Sequence, residues 1–311
     1  MKTRIGVLGM GGVGGYFGGL LAKVYAESDQ FEIVFIARGE TQKAIAASGL
    51  KIITDENEII AFPSIVSNDP ITIGKLDFLI CATKTYDIEE SLLSLEKCIT
   101  KNTIILPLYN GVDAPERIST LYPDNEVLQG CVYIVSMIES PGVIRKMGPY
   151  EKLYFGSDTA PIGRLKALQT IFKDAAIESY LVDTIEETVW EKFIFISALA
   201  SATSYLNQNI GEIINSNSSR AVYVELLNEI SMLAAVKGLN LPNDIVMQTI
   251  LKLEKTPQDA TSSMHRDVLA GRKFELASLT EFVVNEGLKY EMELPTYKMV
   301  LDKLDKINDA V

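Results

Sequence analysis

The run Gly9-Met10-Gly11-Gly12-Val13-Gly14 directly follows the short apolar segment Arg4-Ile5-Gly6-Val7-Leu8 and opens a helical pattern at residues 15–25. The spacing suits a phosphate cradle. Gly9 permits a tight turn, Gly11 lets backbone approach a pyrophosphate, and Gly14 lets the helix pack closely on the strand. The helix N-terminus adds N–H groups and the positive end of its dipole, so residues 9–14 are the expected dinucleotide contact. The next apolar run, residues 32–37, fits a strand buried on both faces and ends in Arg38. An acidic residue at that strand end would accept from a ribose 2′-hydroxyl, whereas an arginine pairs with a 2′-phosphate. NADP(H) is therefore expected over NAD(H), with Glu40 as the one nearby carboxylate.

The elements that must carry this chemistry alternate between strand and helix. Residues 76–83 and 103–108 read as strands and residues 87–98 as an amphipathic helix, the pattern of a doubly wound parallel sheet. Lys84 and Asn110-Gly111 stand just beyond the carboxyl ends of two strands, the edge where open α/β sheets bind ligands. Residues 126–157 are rich in β-formers around a Pro141-Gly142 turn and are expected to add antiparallel strands to the edge of that sheet. A helix at 164–176 and a strand at 178–182 follow. From Thr184 the period is helical, over 185–206, 219–237, 242–253, 259–270, 275–290 and 296–308. The expected fold class is α/β, with a Rossmann-type doubly wound sheet domain at 1–183 followed by an all-α helical domain at 184–311 and a cleft between them.

Composition narrows the function. The net charge of −12, from 29 Lys and Arg against 41 Asp and Glu, argues against general affinity for nucleic acid. No apolar run approaches a membrane span, and the glycines begin too early for a signal peptide. Three cysteines, Cys81, Cys98 and Cys131, show no paired metal-ligand spacing and fit packing roles in a reducing, cytoplasmic compartment. His265 is the only histidine, so no multi-histidine metal site is expected. A homodimer is compatible with the apolar helical faces, which serve core and interface equally well.

In the helical half, Lys192 stands within Val189-Trp190-Glu191-Lys192-Phe193-Ile194, surrounded by large apolar groups. Such a lysine either snorkels to solvent or projects toward a partner. Further on, Ser262-Ser263-Met264-His265 is followed by Phe274-Glu275, with Glu275 at an expected helix start.

Taken in order, the glycine turn, Arg38, Gly49-Leu50, Lys84, Asn110-Gly111, Trp190-x-Lys192, Ser262-Ser263-Met264 and Glu275 make a chain that resembles the ketopantoate reductases (2-dehydropantoate 2-reductases) over nearly its whole length. The resemblance implies NADPH-dependent reduction of ketopantoate, a small 2-oxo acid, to pantoate in pantothenate biosynthesis. It makes Lys192 the general acid, Glu275 a partner for that lysine and the substrate, and Ser263 a substrate contact. Lys84 and Asn110 take cofactor- and cleft-side positions. An ammonium near a carbonyl undergoing hydride attack stabilises the oxygen's growing charge and then protonates it.

Five positions depart from what the resemblance implies: Ile196, Ala200, Ile210 and Ala260 stand where asparagines are expected, and Phe274 stands where a threonine is expected. Ser197, Ser201, Thr203, Ser204 and Asn207 are the polar groups that could compensate. The departures leave two other readings open. One is reduction of a more apolar 2-oxo acid or ketone; the other is a non-catalytic NADP(H)-binding sensor or interaction protein.

Overall fold

A computed structural model describes residues 2–310. The chain divides into two units. One comprises the residues up to Tyr109 together with Ala114–Ile185; the other comprises Asn110–Asp113 and the residues from Glu186 onward.

In the first unit the strands are β1 (Thr3–Leu8), β2 (Phe31–Ile36), β3 (Leu50–Ile53), β4 (Glu58–Ala61), β5 (Ile65–Ser67), β6 (Phe78–Cys81), β7 (Ile104–Pro107), β8 (Gln129–Ser140), β9 (Val143–Gly156) and β10 (Ser179–Leu181). Its helices are α1 (Gly12–Tyr25), α2 (Gly39–Ser48), α3 (Pro70–Ile73), α4 (Ile88–Leu93), α5 (Ala114–Leu121) and α6 (Ile162–Asp174). One sheet is wholly parallel, in the order β5-β2-β1-β6-β7. Strand order reverses at β1, so its carboxyl end lies at the topological switch point where such sheets bind ligands.

The antiparallel hairpin β8-β9 does not extend that sheet, contrary to expectation. It joins a second sheet, β10-β9-β3-β4, in which β9 pairs with β3 in parallel register. Helix α1 supplies the reason, because it packs against both sheets and needs small residues on more than one face. A methyl group at Gly18 would crowd Val7 of β1 and Phe35 of β2, whereas at Gly19 it would strike Ile52 and Leu50 of β3. The apolar residues of β3 and β9 therefore share one core with β1 and β2. The other face of the parallel sheet is covered by Ile88 and Leu92 of α4 and Ile118 of α5. Helix α4 ends at Leu93, five residues before the expected end, yet Leu95 and Cys98 remain buried through the turns that follow.

The second unit is helical: α7 (Ile185–Leu206), α8 (Ile210–Asn215), α9 (Asn217–Val236), α10 (Ile245–Glu254), α11 (Ser263–Leu269), α12 (Phe282–Lys289) and α13 (Pro295–Asn308). One turn of π-helix, Ala277–Glu281, leads into α12. Trp190, Phe193, Tyr223, Leu226 and Tyr297 anchor its core. Among the described residues, no helix is long and apolar enough to cross a membrane, and no group of three or more His, Cys, Asp or Glu could hold a metal ion.

Candidate active site

The glycine-rich turn lies at the switch point of the parallel sheet. Gly9 has φ +91°, a conformation that glycine adopts freely, and a Cβ there would collide with the Ala82 and Thr83 backbone. Gly11 is the N-cap of α1, with no side-chain cap, and the first turn of the helix carries no acidic residue. A Cβ on Gly11 would meet nothing within 4 Å, although one on Gly12 would strike the Ser136 carbonyl of β8. Packing thus accounts for Gly12 and leaves Gly11 unexplained. Open space against uncapped, dipole-positive backbone fits the pyrophosphate of a dinucleotide. Met10 is buried and Val13 half-buried beside it.

Arg38 is the exposed N-cap of α2, two residues beyond β2. Lys43 binds Glu40 at 2.8 Å, so the nearby carboxylate is already engaged. Lys84 caps the 3₁₀ turn Thr85–Asp87 beyond β6 and is half-buried. Sequence reasoning missed three neighbours. Thr83 and Tyr109, beyond the ends of β6 and β7, bring their hydroxyl oxygens within 3.0 Å, and Ser136 stands against Gly12. Burial raises the pKa of the Cys81 thiol, against a smaller opposing effect of Tyr109, so Cys81 is not poised as a nucleophile.

The second unit holds the other candidates. Lys192 lies on α7 with only 8% of its surface exposed, and its Nζ donates to Asn110 Oδ1 at 3.2 Å. Glu275, 5% exposed, lies two residues before the π-turn and not within a helix. The structure thus places Asn110 with Lys192 in the helical unit, whereas Lys84 belongs to the first unit. Ser263 is the half-buried first residue of α11. Its neighbour Ser262 is the N-cap, accepting from the His265 amide at 3.0 Å.

Four of the five polar residues considered as substitutes for the absent asparagines are engaged elsewhere; the fifth, Ser204, is buried and its hydroxyl has no hydrogen-bond partner among the described residues. Ser197 Oγ donates to the Leu279 carbonyl at 2.5 Å and receives the Tyr297 hydroxyl at 2.8 Å. Ser201 pairs with Thr280 at 2.8 Å, and Thr203 with Ser262 at 2.8 Å. Asn207 accepts from His265 Nε2 at 3.0 Å, while His265 Nδ1 lies 2.7 Å from the Thr261 hydroxyl. Because the Asn207 oxygen can only accept, Nε2 is the nitrogen that carries a proton in this contact. Ala200, Ile210 and Phe274 are buried in the apolar core, and Ile196 packs against it. Asn209, immediately before Ile210, caps α8 by accepting from the Glu212 amide at 2.9 Å.

Comparison with known proteins gives this arrangement a family. The models described as "Ketopantoate reductase PanE/ApbA" and "Ketopantoate reductase PanE/ApbA C terminal" match residues 5–159 and 184–308. The chain belongs to the ketopantoate reductase family. Its fold matches a crystal structure of 2-dehydropantoate 2-reductase from Porphyromonas gingivalis W83 with a TM-score of 0.85 and 33% identity, covering 98% of this chain and 99% of that one. The 2-dehydropantoate 2-reductase of Pyrococcus abyssi is 27% identical over 300 residues, covering 94% of this chain and 93% of its own. The uncharacterized oxidoreductase YkpB of Bacillus subtilis is 24% identical over 299 residues, covering 96% of each. Members of the ketopantoate reductase family are nicotinamide-dependent oxidoreductases, and the Rossmann-type sheet with a helical C-terminal region is the family architecture.

Proposed function

We propose that this chain uses NADPH to reduce a 2-oxo acid, with ketopantoate as the first candidate, giving pantoate for pantothenate biosynthesis in the cytoplasm. The observation carrying this reading is the buried Lys192 ammonium held on Asn110 Oδ1 at 3.2 Å in a chain of this family. The unit containing residues 9–14, Arg38 and Lys84 serves the cofactor; the helical unit serves the substrate and its protonation. When bound, reduced nicotinamide supplies a hydride to the carbonyl carbon.

In this reading Lys192 Nζ stabilises the charge growing on the carbonyl oxygen and transfers a proton to it, leaving a neutral amine that solvent reprotonates. Asn110 orients the ammonium through its oxygen, Glu275 balances the lysine's charge, and Ser263 contacts the substrate. Arg38 pairs with the 2′-phosphate. A more apolar 2-oxo acid is the second reading, favoured by the half-buried Ile196 one helical turn beyond Lys192 and by the engagement of Ser197 and Ser201 in packing.

The test is NADPH oxidation by the purified protein with ketopantoate and with a panel of branched, unbranched and aromatic 2-oxo acids, repeated with Lys192→Ala. Turnover of ketopantoate that falls roughly 10²–10⁴-fold in the variant supports the first reading. Lysine-dependent turnover of another acid alone supports the second. NADPH binding with no turnover across the panel overturns both and leaves a nucleotide-binding sensor.

A further inference from the structure

The segment carrying Asn110 is held by a contact for which sequence reasoning assigned no role. Ser278, in the π-turn three residues after Glu275, is fully buried and donates from Oγ to Asp113 Oδ2 at 2.9 Å. Between Asn110 and Asp113, Gly111 has φ +122°, where a Cβ would press on Asp113 Oδ1 at 2.9 Å and Ser278 Cβ at 3.2 Å. Val112 packs on the helical core. Four residues are thus gripped at the Asp113 end by a side-chain hydrogen bond and through the middle by close packing. At the other end they present Asn110 Oδ1 to Lys192.

We propose that Ser278 and Asp113 are positioning residues for Lys192: their bond fixes the 110–113 segment so that Asn110 holds the ammonium in one place. The role of Lys192 as the acid rests on the function proposed above, but the clamp can be tested without it. The π-turn makes the arrangement physically reasonable. Insertion of one residue into the helical repeat rotates the following side chains relative to those before it, and π-turns are frequent at functional sites. Here one short segment carries both Glu275 and the hydroxyl that grips Asp113. The segment has a further restraint from α7, because Ser197 and Ser201 bind Leu279 and Thr280. The hydroxyl of Ser278 is therefore presented from a rigid base.

The experiment compares Ser278→Ala, Asp113→Ala and Asp113→Asn in the full-length protein by two readouts. The first is trace acetylation of the Lys192 amine, quantified by mass spectrometry, which requires no turnover. Both alanine variants should change the rate at Lys192 at least threefold while leaving a surface lysine such as Lys43 unchanged. Asp113→Asn, which retains an oxygen acceptor, should stay close to the parent. The second is steady-state kinetics on whichever 2-oxo acid is turned over. The alanine variants should lower kcat about tenfold with KM within twofold, and Ser278→Ala should add nothing in an Asn110→Ala background. Unchanged acetylation in both alanine variants overturns the clamp. So does a kcat loss that multiplies with that of Asn110→Ala. If the parent protein turns over no 2-oxo acid but acetylation responds as expected, the clamp stands and the reductase reading alone fails.

Discussion

Ser197 on α7 accepts a hydrogen bond from the Tyr297 hydroxyl of α13 at 2.8 Å, across one hundred residues of sequence, and donates its own to the Leu279 carbonyl in the π-turn. All three residues are buried, so the serine hydroxyl links two elements where water cannot replace it. It is a structural hub, although its place after Lys192 made it a candidate for substrate contact.

Ser197→Ala should therefore act on stability. Removing the hydroxyl strands the buried Tyr297 phenol, at a cost of about 1–3 kcal/mol. Denaturant titration should report that loss, with KM for the 2-oxo acid within about twofold of the parent. A raised KM at unchanged stability would instead place Ser197 against substrate.

The glycine-rich turn gives a contrast between neighbours. Gly11→Ala meets no protein atom and has φ −81°, so the unfolding midpoint should hardly move while affinity for reduced nicotinamide nucleotide falls tenfold or more. Gly12→Ala collides with the Ser136 backbone and should destabilise the fold by roughly 1–3 kcal/mol, as overpacked sites do. Calorimetric unfolding and nucleotide titration on the same samples separate the two effects. Full nucleotide affinity in Gly11→Ala would remove the pyrophosphate from this turn.

Arg38→Ala tests the choice between the phosphorylated and unphosphorylated cofactors. The guanidinium is exposed and, among the described residues, has no hydrogen-bond partner, so its removal should leave stability unchanged. Loss of a charge-assisted bond of about 1.5–3 kcal/mol corresponds to roughly a ten- to hundredfold weaker Kd for NADPH. The Kd for NADH should stay within about threefold. Equal losses for both nucleotides would refute a 2′-phosphate contact.

His265 predicts an acid-side loss of stability. Burial pushes its imidazole below the usual value, against a smaller opposing pull from Glu212. Below a pH of about 6.5 the unfolded chain therefore binds more protons than the folded one, and stability falls as pH drops through that window. Above it the contribution is complete. This is the chain's only histidine, and ordinary carboxylates titrate lower, so the assignment is clean. Melting temperatures measured between pH 7.5 and 5.5 should decline in the parent and decline less in His265→Gln. The same slope in both proteins would place the titrating group elsewhere.

Much of the first unit was legible because its signals are local. A buried strand, a glycine turn and a helix in immediate succession need no distant information, and β1, α1 and β2 occur where the pattern places them. The second sheet was not legible. Strands β3 and β4 are short, and β4 alternates between exposed and buried positions without a long apolar run. Their meaning comes from β9, which is about ninety residues away in sequence and pairs with β3. Likewise, the residue types of Lys192, Glu275 and Asn110 drew attention, but nothing in a 3.6-residue period marks a π-turn. Ser278 and Asp113 consequently carried no signal, and Ser197 looked like a pocket residue when its partners were a carbonyl and a tyrosine far along the chain.

The grouping of Asn110–Asp113 with the helices constrains how this protein can be recombined with its relatives. A chimaera joined after Ile185 would pair one parent's Lys192 and Ser278 with the other's residues at 110 and 113. Both side-chain bonds would then depend on two lineages having kept matching partners. The inherited module is discontinuous, and an exchange that respects it must carry four residues from between β7 and α5 along with the C-terminal helices.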